Sequence, residues 1–217
     1  RGNMIIHQSS TPQWRILDET ACQKIVEGAF QVLHRTGVLV LNDKAQKILH
    51  SFGVESEGAR FFIPSALVQK ALSTAPRNFK IWGKDEKNTI SIQPGRVHFG
   101  PGPTCTYFYD PYTGERRRSR RGDAAYVARV CEELENLDYV MSLSIFDDVT
   151  PALSPLYEFA EMIAATQKPV VAWATEPKVL AGIYQIALAV AGGENALREK
   201  PNFAFFATYE SPLRLAD

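Results

Sequence analysis

The sequence predicts an α/β protein whose C-terminal part is the first half of an eight-stranded barrel and whose N-terminal part is an α+β cap. Apolar runs near 139–146, 169–174 and 203–208 indicate short buried strands. The stretches between them have the apolar periodicity of helices, with Phe159 and Met162 on one stripe. Strands that alternate with helices in this way form a parallel sheet covered on its faces.

Length and composition limit the classes of protein that fit. The chain has 217 residues, 45% apolar side chains, and 24 Lys plus Arg against 24 Asp plus Glu. It is therefore long enough for a substantial core, and it has no net charge that would recruit nucleic acid or an anionic membrane. No apolar run approaches the roughly 20 residues that cross a bilayer, and the first residues lack a signal-peptide core.

Cysteine spacing and the chain ends give two further expectations. Cys22, Cys105 and Cys131 lie far apart without CxxC spacing, which argues against a zinc knuckle or a disulfide framework. The sequence therefore predicts a cytoplasmic protein. Because the chain starts without an initiator Met and stops just after a predicted strand, we expect it to be part of a longer protein.

The first 95 residues predict the α+β cap. Asp18 can cap a helix that stops at Gly37, and Asn42 or Asp43 opens a second helix that runs to Gly53. The other predicted elements are strands at 38–41 and 59–64, a helix after Ser65, and a β-hairpin of 79–83 with 89–92. This region, residues 1–95, contains no candidate catalytic cluster.

Residues 96–217 predict four strand–helix steps, which is half of an eight-stranded barrel. A first strand over 97–109 is broken by the GPGP loop, and the three apolar runs named above complete the count. A DPYTG turn follows the first strand, and Asp123 can cap the next helix. The helix over 177–191 ends at Gly192. The other half of the barrel would lie beyond the end of this chain.

Aromatic side chains stand at or just past the predicted strand ends, where a barrel opens to its ligand. They are Trp173, Tyr107, Tyr109 and Tyr209. Several rings at one mouth could hold a quaternary ammonium group, because each ring presents a negative face to a cation that donates no hydrogen bond. Packing in the core or at an interface is the alternative for each ring.

Charged side chains also follow the predicted strands. Asp147 and Asp148 end one strand and Glu210 follows another, so one carboxylate could meet a cation while the other aspartate caps the following helix. His98 adjoins the Gly-Pro loop and could donate to a carboxylate or titrate, with a structural role as the alternative. Asp147, Glu210 and His98 thus join the aromatic residues as candidate substrate-binding residues.

The arginine run RRRSRR (116–121) is a concentrated positive patch. It could receive phosphate groups, but a solvated turn that orients the next helix is the simpler interpretation. No interleaved aromatic and basic residues surround it, so nucleic-acid recognition is not expected. No dinucleotide fingerprint, P-loop, HExxH or GxSxG motif is present.

Several segments occur in a specific order. They are RFFIPSALVQKALSTAPRNFKIWGKDEKNTI, GRVHFGPG, RRGDAAYVARVCEELENLDYV, TQKPVV, and KPNFAFF with SPLRL. From about Leu17 to its end, the chain resembles the N-terminal half of the trimethylamine methyltransferase (MttB-like) superfamily of corrinoid-dependent methyltransferases, which includes glycine betaine methyltransferases. The resemblance implies a TIM-type (β/α)8 barrel with an N-terminal cap, in agreement with the strand–helix count.

The resemblance also implies an activity. Members move a methyl group from a methylated amine, either trimethylamine or a quaternary amine such as glycine betaine, to the cobalt of a corrinoid carried by a separate partner protein. No cofactor is then expected to be bound tightly by this chain, and homo-oligomerisation is compatible with this activity. Trimethylamine enzymes have a pyrrolysine at a position beyond Asp217, and the aromatic residues favour the quaternary-amine branch.

Methyl transfer from a quaternary amine requires no general acid or base from the protein. A quaternary nitrogen already has the charge that makes a neutral amine leave, so the protein must mainly align the reacting atoms and exclude water. Two alternatives stay open. One is a non-catalytic module that binds quaternary amines, and the other is a metal-dependent barrel lyase or hydrolase that uses Asp147, Asp148 and Glu210.

Overall fold

The computed structural model of the protein describes residues 15–102, 104–141, 143–174, 176–207 and 212–215. The chain divides into two compact units. One unit includes Arg77–Ala207, and the other comprises the described parts of Pro12–Pro76 and Thr208–Asp217. The predicted division into a cap of residues 1–95 and a half barrel of residues 96–217 stays a prediction.

Short strands and helices alternate along the described chain. The strands are β1 (Val38–Val40), β2 (Glu55–Glu57), β3 (Arg60–Phe62), β4 (Phe79–Ile81), β5 (Ile90–Ile92), β6 (Tyr107–Tyr109), β7 (Arg116–Arg118), β8 (Val140–Met141), β9 (Val170–Ala172), β10 (Phe203–Phe205) and β11 (Arg214–Leu215). The α-helices are α1 (Glu19–Gln31), α2 (Asp43–Ser51), α3 (Ser65–Thr74), α4 (Asp123–Glu133), α5 (Ser154–Ala165), α6 (Pro177–Ala191) and α7 (Glu194–Glu199). The predicted mixed α/β class is confirmed.

The unit that contains β1 is built from capped helices and a small sheet. Asp18 accepts a backbone hydrogen bond of 2.7 Å at the start of α1, and Asn42 accepts one of 2.9 Å at the start of α2. A π-helical turn, Val32–Thr36, extends α1 to Gly37, whose φ of 71° favours glycine. Both predicted caps and the predicted glycine stop are confirmed.

The sheet of this unit has the strand order β11-β1-β3-β2. Its β2–β3 hairpin is antiparallel, with Glu57 opposite Arg60. The sequence analysis did not predict β2, because Glu55–Glu57 contains no apolar residue that could mark a buried face. The core on this sheet is formed by buried Val40, Val54 and Phe61.

The other unit is centred on a parallel sheet of three strands in the order β10-β9-β8. Val170 is in register with both Val140 and Phe203. The α5 helix connects β8 to β9, and α6 followed by α7 connects β9 to β10. Phe159, which is fully buried in α5, packs edge-to-face on Phe203 with ring centroids 5.6 Å apart. The described strands form no closed barrel, so the TIM-type arrangement stays a prediction.

The predicted strand over 97–109 is confirmed only in part. Tyr107–Tyr109 forms β6, but this strand pairs with β7 in a hairpin and not with the parallel sheet. Before β6, two isolated backbone hydrogen bonds join the chain to residues on either side of β8. The N–H of Asp138 donates to the carbonyl of Phe99 at 2.6 Å, and the N–H of Ile145 donates to the carbonyl of Cys105 at 2.9 Å. Prolines in the GPGP loop lack the N–H groups that a continuous ladder would need.

The arginine run, which was predicted as a solvated turn, is a strand in its first half, and only its end, at exposed Arg121, forms a turn before α4. Arg116–Arg118 forms β7, which is antiparallel to β6. The predicted DPYTG turn joins the two strands, and Asp110 accepts two backbone hydrogen bonds of 2.9 and 3.0 Å within it. The aromatic side chains of β6 stabilise the hairpin because arginine side chains of β7 lie over their rings.

No helix in the described ranges is long and apolar enough to cross a membrane.

Candidate functional site

The candidate site lies at the carboxyl edge of the parallel sheet. Ser144 and Asp147 come shortly after β8, and Trp173 follows β9 directly. Because β8 and β9 are parallel neighbours, the residues that follow them gather at one edge of the sheet. Ligand sites in open α/β sheets form at this edge.

Glu158 joins the ends of these two strands. This residue of α5 has only 1% of its surface exposed. Its carboxylate accepts one hydrogen bond from the backbone N–H of Ser144 and another from Nε1–H of Trp173, the latter 3.2 Å long. The indole of Trp173 is therefore oriented by a buried carboxylate, and its side chain is half-buried at the sheet edge.

Glu158 is not among the residues predicted from the sequence. A signal was nevertheless present, because Glu158 lies three residues after Pro155 and four before Met162, on the buried stripe of α5. A carboxylate on an apolar helical stripe is unusual, since a buried charge is costly unless it is hydrogen-bonded.

The chain leaves β8 through a turn that is held by side chains. Ser154 is 1% exposed, and its Oγ accepts a hydrogen bond of 2.9 Å from the buried N–H of Phe146. Asp148 accepts bonds of 3.1 and 3.3 Å from the N–H of Arg121. Asp148 thus binds a backbone N–H just before the start of α4. The prediction that an aspartate of this pair caps the following helix is wrong, because that helix has no side-chain cap.

The start of α4 is tied to the hairpin by a second carboxylate. Asp123 accepts bonds of 2.7 and 2.8 Å from the guanidinium of Arg117 and one of 2.8 Å from the N–H of Arg120. The hydrogen bond to Asp123 raises the pKa of Arg117. Asp123 is the first residue of α4, while Gly122 occupies the N-cap position that was predicted for Asp123.

Asp147 and Tyr107 are connected to this edge by the backbone. The carboxylate-bearing Asp147 is exposed, and its N–H donates to the carbonyl of Ser119 at 2.9 Å. Ser119 in turn donates its N–H to Thr106, the residue before Tyr107, at 3.2 Å. Asp147 and Tyr107 therefore belong to the same edge of the sheet as Trp173.

The ring of Tyr107 is already covered by cations of its own chain. The guanidinium carbon of Arg116 lies 3.5 Å from the ring centroid, and that of Arg118 lies 4.6 Å from it. These two guanidinium groups compete with an ammonium substrate for the negative potential of this ring. Tyr109, the other tyrosine of β6, is 67% exposed.

His98 lies at the opposite edge of the sheet. Its Nε2 is 3.0 Å from the carbonyl oxygen of Ser91, and its Nδ1 is 3.5 Å from a carboxylate oxygen of Asp138. Asp138 precedes β8, whereas Trp173 follows β9. The structure therefore does not bring His98 together with Trp173.

Two of the predicted substrate-binding residues, Tyr209 and Glu210, lie outside the described residues. Within the described ranges, no group of three or more His, Cys, Asp or Glu residues is arranged to hold a metal ion. The site as described thus centres on Trp173 and its buried acceptor Glu158, and the exposed residue Asp147 follows β8 at the same edge of the sheet.

Comparison with known proteins gives consistent matches. The chain is 29% identical over 192 residues to trimethylamine methyltransferase MttB of Desulfitobacterium hafniense (strain DSM 10664 / DCB-2), which covers 86% of this chain and 38% of that protein. It is 32% identical over 195 residues to trimethylamine methyltransferase MttB of Methanosarcina thermophila, and the match covers 86% of this chain and 40% of that protein. It is 22% identical over 204 residues to glycine betaine methyltransferase of Desulfitobacterium hafniense (strain Y51), and the match covers 94% of this chain and 42% of that protein.

The chain thus spans about two-fifths of the length of these curated relatives, between 38% and 42%. The family model described as "Trimethylamine methyltransferase (MTTB)" matches residues 3–217, which is nearly the whole chain. The chain therefore belongs to the trimethylamine methyltransferase (MTTB) family.

Proposed function

We propose that the protein transfers a methyl group from a methylated amine to the cobalt of a corrinoid that a partner protein carries. The family match over residues 3–217 is the observation that carries this proposal. The names of the relatives supply both substrate types, trimethylamine and glycine betaine. The corrinoid is here a second substrate and not a resident cofactor of this chain.

The fold that goes with this function is a TIM-type barrel of which this chain supplies the first half. Support comes from the order of neighbours. Phe99 and Cys105 accept backbone hydrogen bonds from residues before and after β8, β8 pairs with β9, and β9 pairs with β10. All of these segments run in the same direction, as consecutive strands of a barrel do. We place the methyl transfer at the carboxyl edge of the sheet, and the protein in the cytoplasm.

Trp173 is the residue that we assign to the methylated ammonium group. Its indole is oriented by Glu158 at the sheet edge. A cation–π contact with one ring contributes about 1–2 kcal/mol to the binding of a desolvated ammonium group. Such a contact suits this reaction because it holds the substrate through its charge and needs no proton transfer.

The transfer itself is a displacement at carbon. The C–N bond breaks with its electron pair left on nitrogen, and the reduced cobalt supplies the pair for the new bond. When the substrate is a quaternary amine, a neutral tertiary amine leaves and no general acid is needed. When the substrate is trimethylamine, its nitrogen must first take a proton from solvent, so that neutral dimethylamine leaves. The protein then contributes by aligning the donor with the acceptor and by excluding water.

The test is formation of the demethylated amine. The protein, expressed from its complete gene, is incubated with reduced cobalamin and either trimethylamine or glycine betaine, and the amine product is followed by NMR. We expect dimethylamine or dimethylglycine to appear in proportion to the enzyme. If neither product forms with reduced cobalamin or with a reduced corrinoid partner protein, the proposal is wrong.

Binding of the amine is tested separately. Trp173→Ala should weaken the binding of the productive amine by about 1–2 kcal/mol in calorimetry. Trp82→Ala is the matched control, because the Trp82 ring lies under Lys80 at 5.2 Å and Lys200 at 5.0 Å and is already occupied by cations. An unchanged binding isotherm for Trp173→Ala would remove Trp173 from the site.

A further inference from the structure

Glu158 is a buried carboxylate that the displacement described above does not use. It is 1% exposed and lies on the apolar stripe of α5, among buried Pro155, Phe159 and Met162. A carboxylate in such surroundings costs stability relative to an apolar side chain unless its interactions return that cost. Packing alone therefore does not explain why a carboxylate occupies this buried position.

The two described donors to Glu158 indicate that reason. One is the backbone N–H of Ser144, after β8, and the other is Nε1–H of Trp173, after β9. Each carboxylate oxygen accepts one of these two bonds, whereas a neutral amide has a single acceptor oxygen. When it is ionised, the carboxylate also places a negative charge on the hydrogen-bonding edge of the indole.

We propose that Glu158 is a positioning residue for substrate recognition: it fixes the orientation of the Trp173 indole and strengthens the attraction of that ring for a methylated ammonium group. The inference rests on the proposed function, since it assigns Trp173 to the ammonium group of the substrate. The hydrogen bond from Nε1–H restricts rotation of the ring. The anionic acceptor also makes the ring richer in electrons, and a cation–π contact depends on the negative potential of the ring face.

Charge is the property that separates this role from a structural one, so the test compares two ligands of similar size and shape. Tetramethylammonium is a cation, and tert-butanol is a neutral molecule of nearly the same shape. Affinities of both for the protein, expressed from its complete gene, are measured by NMR titration for the native protein and for Glu158→Gln. Gln has nearly the same size as Glu but only one acceptor oxygen, so one of the two N–H donors loses its acceptor, and the comparison of the two ligands separates that loss from the loss of charge.

We expect Glu158→Gln to weaken tetramethylammonium binding several-fold, which is a part of the roughly tenfold effect of one whole desolvated cation–π contact. The affinity for tert-butanol should change less than twofold, because a neutral ligand does not sense the potential of the ring face. Equal losses for both ligands, or no loss for either, would show that Glu158 only supports the structure and would overturn the inference.

Glu161→Gln is the matched control on the same helix. Glu161 also accepts backbone hydrogen bonds, of 2.8 and 2.9 Å, but from Gly122 at the start of α4. This variant removes a carboxylate from α5 without touching Trp173, and tetramethylammonium affinity should stay within twofold of the native value. A several-fold loss in this control would mean that general charge and not the Trp173 contact controls binding, which contradicts the inference.

A second variant keeps the inference testable if Glu158→Gln does not fold. Trp173→Phe retains an aromatic ring but lacks the indole N–H, so it should also weaken tetramethylammonium binding several-fold with little effect on tert-butanol. Where Glu158→Gln does fold, adding it to Trp173→Phe should increase the loss little. Fully additive losses, or unchanged affinity in Trp173→Phe, would overturn the inference.

The outcomes also separate this inference from the proposed function. A native protein that neither binds methylated ammonium ions nor demethylates an amine overturns both. A native protein that demethylates an amine, with Glu158→Gln binding tetramethylammonium as well as the native protein does, overturns the inference alone.

Discussion

Lys168 closes the C-terminal end of α4, and its replacement offers a sharp test of the packing described above. The side chain is buried, with 8% of the residue exposed. Its Nζ donates to the carbonyl of Cys131 at 2.6 Å and to that of Leu134 at 2.9 Å, both at the end of α4. Lys168 also leads directly into β9, so it attaches the end of this helix to the start of the strand that precedes Trp173.

Lys168→Met keeps the length of the side chain and removes both hydrogen bonds. Two hydrogen bonds from a charged donor contribute about 3 kcal/mol, at the lower end of their range. A cation at a helix C-terminus adds about 0.5 kcal/mol. Release of the buried ammonium offsets part of that loss, because a buried charge is costly even when it is hydrogen-bonded. The free energy of unfolding should therefore fall by about 2 kcal/mol.

The measurement is urea unfolding followed by circular dichroism. Lys200→Met is the matched control, because Lys200 is exposed and contacts the exposed carboxylate of Glu86 at 2.7 Å. That variant should change the unfolding free energy far less than Lys168→Met. If Lys168→Met loses less than about 0.5 kcal/mol, or no more than the control, the two buried hydrogen bonds do not stabilise the α4–β9 junction as argued.

Three further predictions concern single residues. Burial raises the pKa of the Cys131 thiol, so iodoacetamide at pH 8 should alkylate Cys131 far more slowly than exposed Cys22. Equal alkylation rates, measured by peptide mass spectrometry, would contradict the packing of α4. Ser154→Ala leaves the buried N–H of Phe146 without its acceptor and should cost about 1–3 kcal/mol in urea unfolding, whereas a neutral effect would refute that hydrogen bond. Hydrogen bonds from the backbone N–H groups of Thr113 and then Tyr112 lower the pKa of Asp110. The ionised carboxylate should therefore stabilise the turn above the unfolded-state pKa of about 3.9, and this stabilisation should be lost as the pH falls through the lowered pKa. An NMR titration of the Asp110 carboxyl group with a midpoint at or above about 3.9 would contradict this prediction.

Local signals in the sequence predicted the helices well. The start of α1 at Asp18, the start of α2 at Asn42 and the stop at Gly37 depend on residues within one helical turn. Likewise, the parallel strands were predicted from short apolar runs, although the strands themselves are only two or three residues long. Capping and periodicity act over a few residues, so one sequence is enough to recognise them.

Features that depend on distant partners were predicted less well. Arg116–Arg118 forms a strand that pairs with β6, and the side chains of Arg116 and Arg117 lie over the rings of Tyr107 and Phe108. Sequence periodicity alone did not predict this strand pairing. Asp148 caps the N–H of Arg121, 27 residues earlier, and not the helix that follows it.

The candidate site was predicted in part. Trp173 and Asp147 were placed after neighbouring strands from the sequence, and the structure brings both to the carboxyl edge of the sheet. The acceptor of the Trp173 indole, Glu158, was missed because its partners come from the ends of two other elements. His98 had been grouped with these residues through its loop, yet its contact with Asp138 lies at the other edge.

The central claim is that this protein moves a methyl group from an amine to a corrinoid. The most direct measurement follows the visible spectrum of cobalt(I) cobalamin after addition of the protein, expressed from its complete gene, and one methylated amine at a time. We expect conversion to methylcobalamin with either trimethylamine or a quaternary amine such as glycine betaine, at a rate proportional to the protein concentration. If none of these amines converts the reduced corrinoid, either free or on its partner protein, the proposed methyl transfer is contradicted.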